Sequence, residues 1–275
     1  MIPRFPFSIL AISLLLVVAS ANLDEENSSS EFSYMGLKGP DHWGGLNKSF
    51  SPCATGKHQS PVNILTKQTH IDTTLGPLAK NYISAANATI INLGFVIGVH
   101  YEEEIGDLVI KGKKYTFKQM HWHTPAEHQI DGQIFHAELH AVHLADDGSA
   151  AVISILYNYG NPDPLVNKIS KYLYELGGSS SHKGVKIPMG KLDTSHLRRK
   201  TNKFYRYMGS LTTPPCTEDV VWTVLARARS ISKEQVEALR APLASHSKTN
   251  ARPLQPLNGR TVELYKVKNG HHRQH

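Results

Sequence analysis

Three histidines at short spacing are the residues of this chain best suited to chemistry. The stretch "QMHWHTPAEH" (119–128) carries His121 and His123, and "AELHAVH" (137–143) carries His140. Side chains alternate between the faces of an extended strand, so His121 and His123 lie on one face. The chain has 16 histidines in 275 residues, so a pair at this spacing is weak evidence of a metal site when taken alone.

The next strand candidate strengthens this interpretation. In "AELHAVH", Glu138 and His140 share a face, and "DGQ" at 131–133 supplies a turn, so the two strands can pair antiparallel. Three neutral imidazoles that converge on one ion with an open fourth position are typical of a catalytic zinc site. Gln119 and Glu138, on the same faces, are predicted to bind the free ring nitrogens of His121 and His140. The alternative, ordinary half-buried strands, does not predict three histidines with polar partners on facing strands.

Other histidines fall outside this pattern. His128 and His143 do not lie on the predicted face, and we interpret them as structural. His271, His272 and His275 belong to the tail "NGHHRQH", where a solvated terminus is expected rather than a metal site.

The loop "YRYMGSLTTPPCTEDVVWTVL" (205–225) is the remaining stretch with chemical potential. Two prolines after Thr212-Thr213 favour an extended or turning backbone that presents hydroxyl groups rigidly. One hydroxyl can accept a hydrogen bond from an attacking oxygen and donate its own proton to a carboxylate. The sequence alone does not show that these threonines reach the metal site.

The segments around these residues are typical of β-strands. They are rich in β-branched and aromatic residues, with turn residues such as "IDGQ" and "ADDG" between many of them: 95–101, 113–123, 135–145, 150–159, 219–231 and 260–267. We therefore predict a mainly β fold with peripheral helices, in which a single domain forms around a large, mostly antiparallel twisted sheet.

Two segments are typical of helices. The first has Asp163 as a possible N-cap before Pro164 and ends at "GG" (177–178). The second has Ser232 as its cap, with glutamate and glutamine in its first turn.

The first 21 residues have the layout of a signal peptide. Arg4 precedes an apolar run to about Ala19, and "ASA" (19–21) suits cleavage after Ala21. A membrane anchor is the alternative, but the run is short of the roughly 20 residues needed to span a bilayer. No later stretch is apolar enough to cross a membrane. We predict a signal peptide at 1–21, a disordered lead-in at 22–31, one domain at 32–268 and a flexible tail at 269–275.

The charge of the chain does not indicate a nucleic-acid partner. The formal net charge is +7, and it becomes +6 once Arg4 leaves with the signal peptide. The densest basic cluster, "HLRRK" (196–200), has no aromatic residues among its charges and no nucleic-acid motif around it, so we expect a solvated basic face.

Cysteine and asparagine patterns fit a secreted protein. The two cysteines, Cys53 and Cys216, are too far apart in sequence for a typical thiolate zinc site, and an even count after a signal peptide favours one disulfide over two buried thiols. Candidate glycosylation sequons begin at Asn27, Asn47 and Asn87.

Several motifs together resemble the α-class carbonic anhydrases. They are "HWH", "AEH", "AELHAVH", "GSLTTPPCTE" and "NARPLQP", in this order, and "GPDHWGGL" and "HQSPVNI" extend the resemblance over 32–268. "HTPAEH" and "PPCTE" are most similar to the plant-type secreted branch. This joint match is highly specific. It implies a mostly antiparallel twisted sheet with zinc at the floor of a conical cavity, and reversible hydration of CO₂ to bicarbonate and a proton.

The resemblance assigns roles residue by residue. It implies one Zn²⁺ held by His121, His123 and His140. In this family such an ion lowers the pKa of bound water to about 7. Thr212 matches the threonine that orients zinc hydroxide, and Glu127 matches the carboxylate that accepts the threonine's hydrogen bond. Cys53 and Cys216 match the disulfide of secreted members. Thr213 matches the residue beside the bicarbonate site. The residues that match the CO₂ pocket are Val142, Val152, Leu211, Val220 and Trp222. Those that match the outer partners of the site are Gln119, Glu138, the carbonyl of Asn250 and the rim tyrosine Tyr34.

One departure concerns the proton. The family places a proton-shuttle histidine after Asn-x-Gly, and "INLGFVIGV" puts Phe95 at that position. Phenylalanine carries no proton, and strand alternation turns His100 to the opposite face from Phe95 unless a bulge intervenes. We predict impaired intramolecular proton shuttling. Ala126, where many relatives have serine, is a smaller departure that affects a neighbouring hydrogen bond.

Two other function classes compete with the zinc lyase. The first is a secreted storage or binding protein on the same fold with little catalysis, which Phe95 favours. Drift away from catalysis, however, would be expected to erode first the set formed by the metal ligands, Thr212 and Glu127. A zinc hydrolase needs a general base and an oxyanion site that the sequence does not identify. We expect an extracellular or apoplastic location, with the chloroplast reached through the secretory route as the alternative. The sequence does not specify the oligomeric state and is compatible with a monomer.

Overall fold

A computed structural model describes residues 31–178 and 183–267 of the chain. Its strands are β1 (Asn63–Ile64), β2 (His70–Ile71), β3 (Ala79–Tyr82), β4 (Ala85–Asn92), β5 (Ile97–Tyr101), β6 (Gly106–Ile110), β7 (Lys113–His123), β8 (Gln129–Ile130), β9 (Gln133–Ile134), β10 (Ala137–Leu144), β11 (Ala150–Tyr159), β12 (Lys186–Asp193), β13 (Lys203–Gly209), β14 (Val220–Leu225), β15 (Arg229–Ile231) and β16 (Glu263–Lys266). The α-helices are α1 (Trp43–Leu46), α2 (Pro52–Thr55), α3 (Pro164–Leu176), α4 (Ser195–Arg198) and α5 (Lys233–Arg240). The prediction of a mainly β fold with few helices is confirmed.

One large sheet dominates the described chain. Its main path runs in the order β12-β4-β5-β7-β10-β11-β14-β13-β16-β2, with β6 paired to β7, β3 paired to β6, and β15 paired to β11. Most neighbours are antiparallel; β11 runs parallel to β14 and β15, and β16 runs parallel to β2. A small second sheet has the order β1-β8-β9.

The centre of the sheet is formed by β7, β10 and β11, as the sequence predicts. In the antiparallel pair β7–β10, His140 lies opposite His121 and Glu138 lies opposite His123. β7 and β11 have the predicted bounds, because both strands are long runs of regular, β-rich sequence. The predicted strand 219–231 is instead two strands, because the chain leaves the sheet at 226–228 before β15 pairs further along β11.

The two faces of the sheet are covered differently. On one face, alternate residues of the central strands pack with the apolar sides of α3 and α5 in the main core. On the other face a second apolar cluster surrounds the histidines. Both predicted helix caps are present: Asp163 accepts from the first-turn N–H groups of α3, and Ser232 forms a capping box with Gln235.

No helix among the described residues is long and apolar enough to cross a membrane.

Candidate metal centre

The three predicted histidines meet on one face of the sheet. Since His121 and His140 are directly opposite each other and His123 is two residues along, their rings lie side by side, with centroids 4.7 to 5.2 Å apart. One ring nitrogen from each lies within 4.8 Å of the other two. His123 and His140 are buried and His121 is half-buried, so the cluster is closed from below and open on one side.

Each imidazole is fixed by a hydrogen bond on its other nitrogen. Gln119 Oε1 lies 2.8 Å from His121 Nδ1, and the Asn250 carbonyl oxygen lies 2.7 Å from His123 Nδ1. Glu138 Oε1 lies 2.8 Å from His140 Nε2. These contacts leave Nε2 of His121, Nε2 of His123 and Nδ1 of His140 to face one another.

The chemistry of these three nitrogens fits a zinc ion. His123 Nε2 is buried and has no hydrogen-bond partner among the described residues, a costly arrangement unless another group binds it. Burial lowers the pKa of His123 to about 4. Burial also lowers the pKa of His121 well below its usual value, and the neighbouring His123 and His140 act in the same direction. The rings are therefore neutral at pH 7, the form that binds metal. Nitrogen ligands with one open side suit Zn²⁺.

Glu138 connects this cluster to the protein around it. Its Oε1 accepts from His128 Nδ1 (2.6 Å), His140 Nε2 (2.8 Å) and Ser154 Oγ (2.6 Å). Its Oε2 accepts from the backbone N–H groups of Glu127 and His128, both at 2.8 Å. Burial raises the pKa of the Glu138 carboxyl, but the two histidines outweigh burial and hold it well below its usual range. Glu138 is therefore a buried carboxylate.

The chain of hydrogen bonds continues away from the cluster. His128 Nε2 lies 2.6 Å from the Tyr207 hydroxyl, which lies 2.8 Å from Ser60 Oγ. Ser60 Oγ in turn accepts from the backbone N–H of Ser210 at 3.0 Å. Donation from His128 Nδ1 to Glu138 leaves Nε2 to accept from Tyr207, which gives each hydroxyl in this chain one donor and one acceptor. This network was not predictable from sequence, because its members come from separate loops and strands.

Glu127 lies beside the histidines and is completely surrounded by protein. Its Oε1 accepts from the backbone N–H of Arg252 at 2.9 Å. Burial raises the pKa of Glu127 to about 7; His140, the Arg252 N–H and the Thr212 hydroxyl act to lower it. Oε2 has no hydrogen-bond partner within normal distance among the described residues. The effect of the Thr212 hydroxyl on the Glu127 pKa places this side chain near Glu127.

Arg252 holds the surroundings of Glu127 together. Its guanidinium donates to Gln59 Oε1 and the Ser60 carbonyl, both at 2.8 Å, and to the Cys53 carbonyl at 3.1 Å. Sequence reasoning did not single out Arg252 as a functional residue, although it lies in the "NARPLQP" motif.

The residues predicted to form an apolar pocket lie together next to the histidines. Its members pack in the second apolar cluster: Val142, Val152, Leu211, Val220 and Trp222. The Trp222 ring lies 4.8 Å from that of His140, and its Nε1 donates to the Ser210 carbonyl at 2.9 Å. This wall is apolar, and all of its members except the half-buried Leu211 are buried.

The loop with Thr212 and Thr213 is tied by the predicted disulfide, which the structure confirms. Cys53 and Cys216 are bonded across a sequence separation of 163 residues. The Cys216 N–H donates to the Thr213 carbonyl at 2.9 Å, and Gln59 Nε2 donates to the Cys216 carbonyl at 3.0 Å. The loop that presents the threonines is therefore fixed at its C-terminal end.

Tyr34 and Phe95 belong to an aromatic cluster beside the site. Phe32 lies 4.9 Å from Phe95 and 5.3 Å from Trp43, centroid to centroid. Tyr34 is buried; its hydroxyl has no partner among the described residues, and burial, then Glu127, raises its pKa well above 10. Phe95 is half-buried, and its carbonyl accepts from Asn250 Nδ2 at 2.8 Å.

The placement of His100 corrects the alternation argument. Phe95 lies in the turn before β5, which begins at Ile97, so strand alternation does not relate Phe95 to His100. Within β5, His100 shares a face with Gly98, and Gly98 pairs directly with His121. His100 therefore lies on the same sheet face as the histidine cluster. It is half-buried, and Nδ1 has no partner among the described residues.

The remaining predicted positions lie outside the histidine cluster. Asn47 and Asn87 are exposed; Asn47 Oδ1 accepts from the Ser49 N–H and hydroxyl, both at 3.0 Å. His143 is buried on the other face of the sheet and binds the Tyr82 hydroxyl at 2.7 Å. Asn27, the leader, the lead-in before residue 31 and the tail after residue 267 lie outside the described residues.

Comparisons with known proteins agree with this geometry. The profile of the family "Eukaryotic-type carbonic anhydrase" matches residues 38–266. Alpha carbonic anhydrase 7 of Arabidopsis thaliana is 37% identical over 94% of this chain and 94% of its own length. Dioscorin DB3S of Dioscorea polystachya is 36% identical over 92% of each chain.

Solved structures are similar throughout the domain. Dioscorin complexed with ascorbate superposes with a TM-score of 0.83 at 35% identity, covering 87% of this chain and all of the other. The α-carbonic anhydrase of Thermovibrio ammonificans, in complex with sulfanilamide, gives 0.76 at 33% identity, covering 86% of this chain and all of the other. With its family profile, its relatives and its fold in agreement, this chain belongs to the α-carbonic anhydrase family.

Proposed function

We propose that this protein is a zinc-dependent enzyme that reversibly hydrates CO₂ to bicarbonate and a proton. The observation that carries the proposal is the set of three neutral imidazole nitrogens within 4.8 Å of one another, one of them buried without a partner. His121, His123 and His140 would hold the ion. Zinc bound by three histidines supplies a nucleophilic oxygen at neutral pH by lowering the pKa of bound water.

Thr212 and Glu127 would orient the attacking oxygen. A threonine hydroxyl that donates to a carboxylate must use its own oxygen as an acceptor, so it binds an O–H group and leaves that group's lone pair directed elsewhere. Glu127 is suited to be the acceptor because its Oε1 is already occupied by the Arg252 N–H and its buried Oε2 is free. This pair would favour hydroxide over water at the same position.

The apolar wall would hold CO₂ beside this oxygen. CO₂ has no net charge or dipole, and side chains such as Val142, Val152 and Trp222 offer it a dry surface without competing hydrogen bonds. Thr213, half-buried on the same loop as Thr212, would lie beside the bicarbonate product.

Release of the proton would be the slow half of the cycle. Phe95 occupies the position that the family gives to a proton carrier, and its ring packs against Phe32. Protons would leave through water and external buffer, so turnover should depend on buffer concentration.

Stopped-flow CO₂ hydration, with zinc content measured on the same sample, tests the function. We expect about one zinc per chain and hydration that rises with buffer concentration. Thr212→Val should lower kcat/KM by roughly 10²-fold, because one preorganised hydrogen bond at the reacting oxygen is lost. Thr217→Val, on an exposed residue of the same loop, is the matched control and should leave kcat/KM unchanged. Full zinc occupancy without hydration at any buffer concentration would exclude the enzyme and favour a storage or binding protein.

We also propose that the chain enters the secretory pathway and is glycosylated. The disulfide is the supporting observation, since such bonds persist in oxidising compartments. The exposed sequons at Asn47 and Asn87 are accessible to the glycosylation machinery, and Asn27 is the third candidate. An apoplastic location is favoured over the chloroplast. Mass spectrometry of glycopeptides from plant-expressed protein tests this proposal; unmodified peptides at all three sites would contradict it.

A further inference from the structure

A cavity of about 370 Å³ lies outside the histidine cluster. It is lined by Arg206, Tyr207 and Met208 of β13, Val221 of β14, Thr261 and Glu263 at and before β16, and the turn between β6 and β7. The alternating residues Tyr205, Tyr207, Val220 and Trp222 pack on the histidine side, so the side chains of Arg206, Met208 and Val221 emerge from the opposite face of the sheet. The volume falls at the small end of the roughly 300–1,000 Å³ typical of ligand pockets.

The strongest polar group in this cavity is the Arg206 guanidinium, which is only 8% exposed. It lies between its two cross-strand neighbours, Thr223 on β14 and Glu263 on β16. Thr223 Oγ1 accepts from Nε at 3.3 Å and from Nη2 at 3.0 Å. Among the described residues no other group accepts from Arg206, and no carboxylate lies within ion-pair distance of it. A guanidinium has five N–H donors, so most of the donors of Arg206 make no hydrogen bond to the described residues.

No Arg206 nitrogen is among the buried, unpartnered polar atoms of the described residues, so its free N–H groups are solvent-accessible and can be reached by an acceptor. Burial lowers the pKa of Arg206, and Glu263 and the Tyr115 hydroxyl act to raise it, but the group remains a cation at neutral pH. The planar outer edge of a guanidinium matches a carboxylate, which can accept two parallel hydrogen bonds.

The other walls indicate what kind of carboxylate fits. Lys111 and Lys113 add positive charge at the rim; Lys113 is already paired with Asp147. Glu263 repels a second negative charge close to Arg206, which disfavours dianions. The rest of the lining is largely apolar, from Ile110, Met208, Val221 and the Tyr115 ring.

We propose that this cavity is a binding site for a small organic monocarboxylate with an apolar body. The carboxylate would bind the outer edge of Arg206 with Lys111 nearby, and the apolar body would lie against Met208, Val221 and the Tyr115 ring. This site is separate from the metal centre, on the opposite face of the sheet, and does not depend on the proposed enzymatic function.

Calorimetric titration of the full protein with cyclohexanecarboxylate tests the proposal, with cyclohexanecarboxamide as the neutral ligand of the same shape. We expect one binding site for the carboxylate and at least tenfold weaker binding of the carboxamide, because the charge-assisted hydrogen bonds are lost. The carboxylate should leave CO₂ hydration unchanged at concentrations that fill the site.

Two variants locate the site. Lys111→Gln should weaken carboxylate binding about threefold, whereas Lys114→Gln, an exposed lysine of the same hairpin that does not line the cavity, should have no effect. Arg206→Met should weaken binding at least tenfold. If Arg206→Met does not fold, the lysine pair and the two ligands still decide the outcome.

Four results would overturn the proposal. They are no binding at millimolar carboxylate, equal binding of carboxylate and carboxamide, binding that is unaffected by Lys111→Gln, and binding that inhibits hydration. The last result would place the carboxylate at the histidine cluster instead.

Discussion

The hydrogen-bonded chain from Glu138 to Ser60 makes a sharp prediction about Tyr207. Tyr207→Phe removes one oxygen atom and leaves the ring in place. That oxygen lies 2.6 Å from His128 Nε2 and 2.8 Å from Ser60 Oγ, and the residues on both sides are fully buried. The substitution therefore breaks two hydrogen bonds and leaves a buried histidine nitrogen without a partner.

The expected cost follows from these two bonds. Each buried hydrogen bond contributes about 0.5–1.5 kcal/mol net, and a buried group left unpaired costs about 1–3 kcal/mol. Tyr207→Phe should thus lower the free energy of unfolding by about 2–3 kcal/mol. Zinc affinity should fall less than tenfold, because Glu138 keeps all five of its hydrogen bonds, including the one from His140. Loss of a direct partner of a metal ligand, by contrast, costs about 10–100-fold in metal affinity.

Tyr205→Phe is the matched control. Tyr205 lies on the same strand and the same face and is also 2% exposed, but its hydroxyl makes no hydrogen bond within the described residues. It should change stability by less than about 0.5 kcal/mol. Urea denaturation followed by tryptophan fluorescence measures both variants. Equal stability of the two would show that the network does not hold the His128 loop, and the reasoning above would be wrong.

Three further predictions follow from other parts of the molecule. Phe95→His should raise turnover at low buffer by about tenfold while Phe95→Leu does not, because a positioned base then carries the proton; stopped-flow hydration would show an unchanged rate if this is mistaken. Burial is the main reason that the pKa of His196 is lowered to about 3. The ring therefore stays neutral in the folded protein, whereas in the unfolded chain it gains a proton below pH 6.5. The contribution of His196 to the free energy of unfolding should therefore be fully present above pH 6.5 and fall by about 2 kcal/mol by pH 5. His196→Gln should remove this contribution from the pH dependence of urea denaturation. Reducing the Cys53–Cys216 bond should lower stability by up to about 4–5 kcal/mol in the chain-entropy model; an unchanged melting temperature in dithiothreitol, with free thiols confirmed, would contradict this.

The sequence predicted the histidine cluster well because its geometry is local. His121 and His123 are two residues apart in a regular strand, and a short connection brings His140 beside them. Alternation and antiparallel pairing are then sufficient to place all three on one face. The hydrogen bonds of Gln119 and Glu138 followed from the same alternation.

Contacts between distant segments were not predictable in this way. His128 follows the end of β7 in a loop, and its partner Tyr207 is 79 residues away. Alternation also failed for Phe95 and His100, because the rule applies only within a strand and β5 begins after Phe95. The Asn250 carbonyl was identified only through the family resemblance, since a backbone acceptor leaves no pattern in side-chain types.

The aromatic cluster beside the site connects the N-terminal end of the described residues to the histidines. Phe32 packs on Phe95, whose carbonyl holds Asn250, and the Asn250 carbonyl fixes His123. A chain that begins after Phe32 would lose this packing. We therefore expect expression variants to keep the metal centre intact when they begin at or before Phe32.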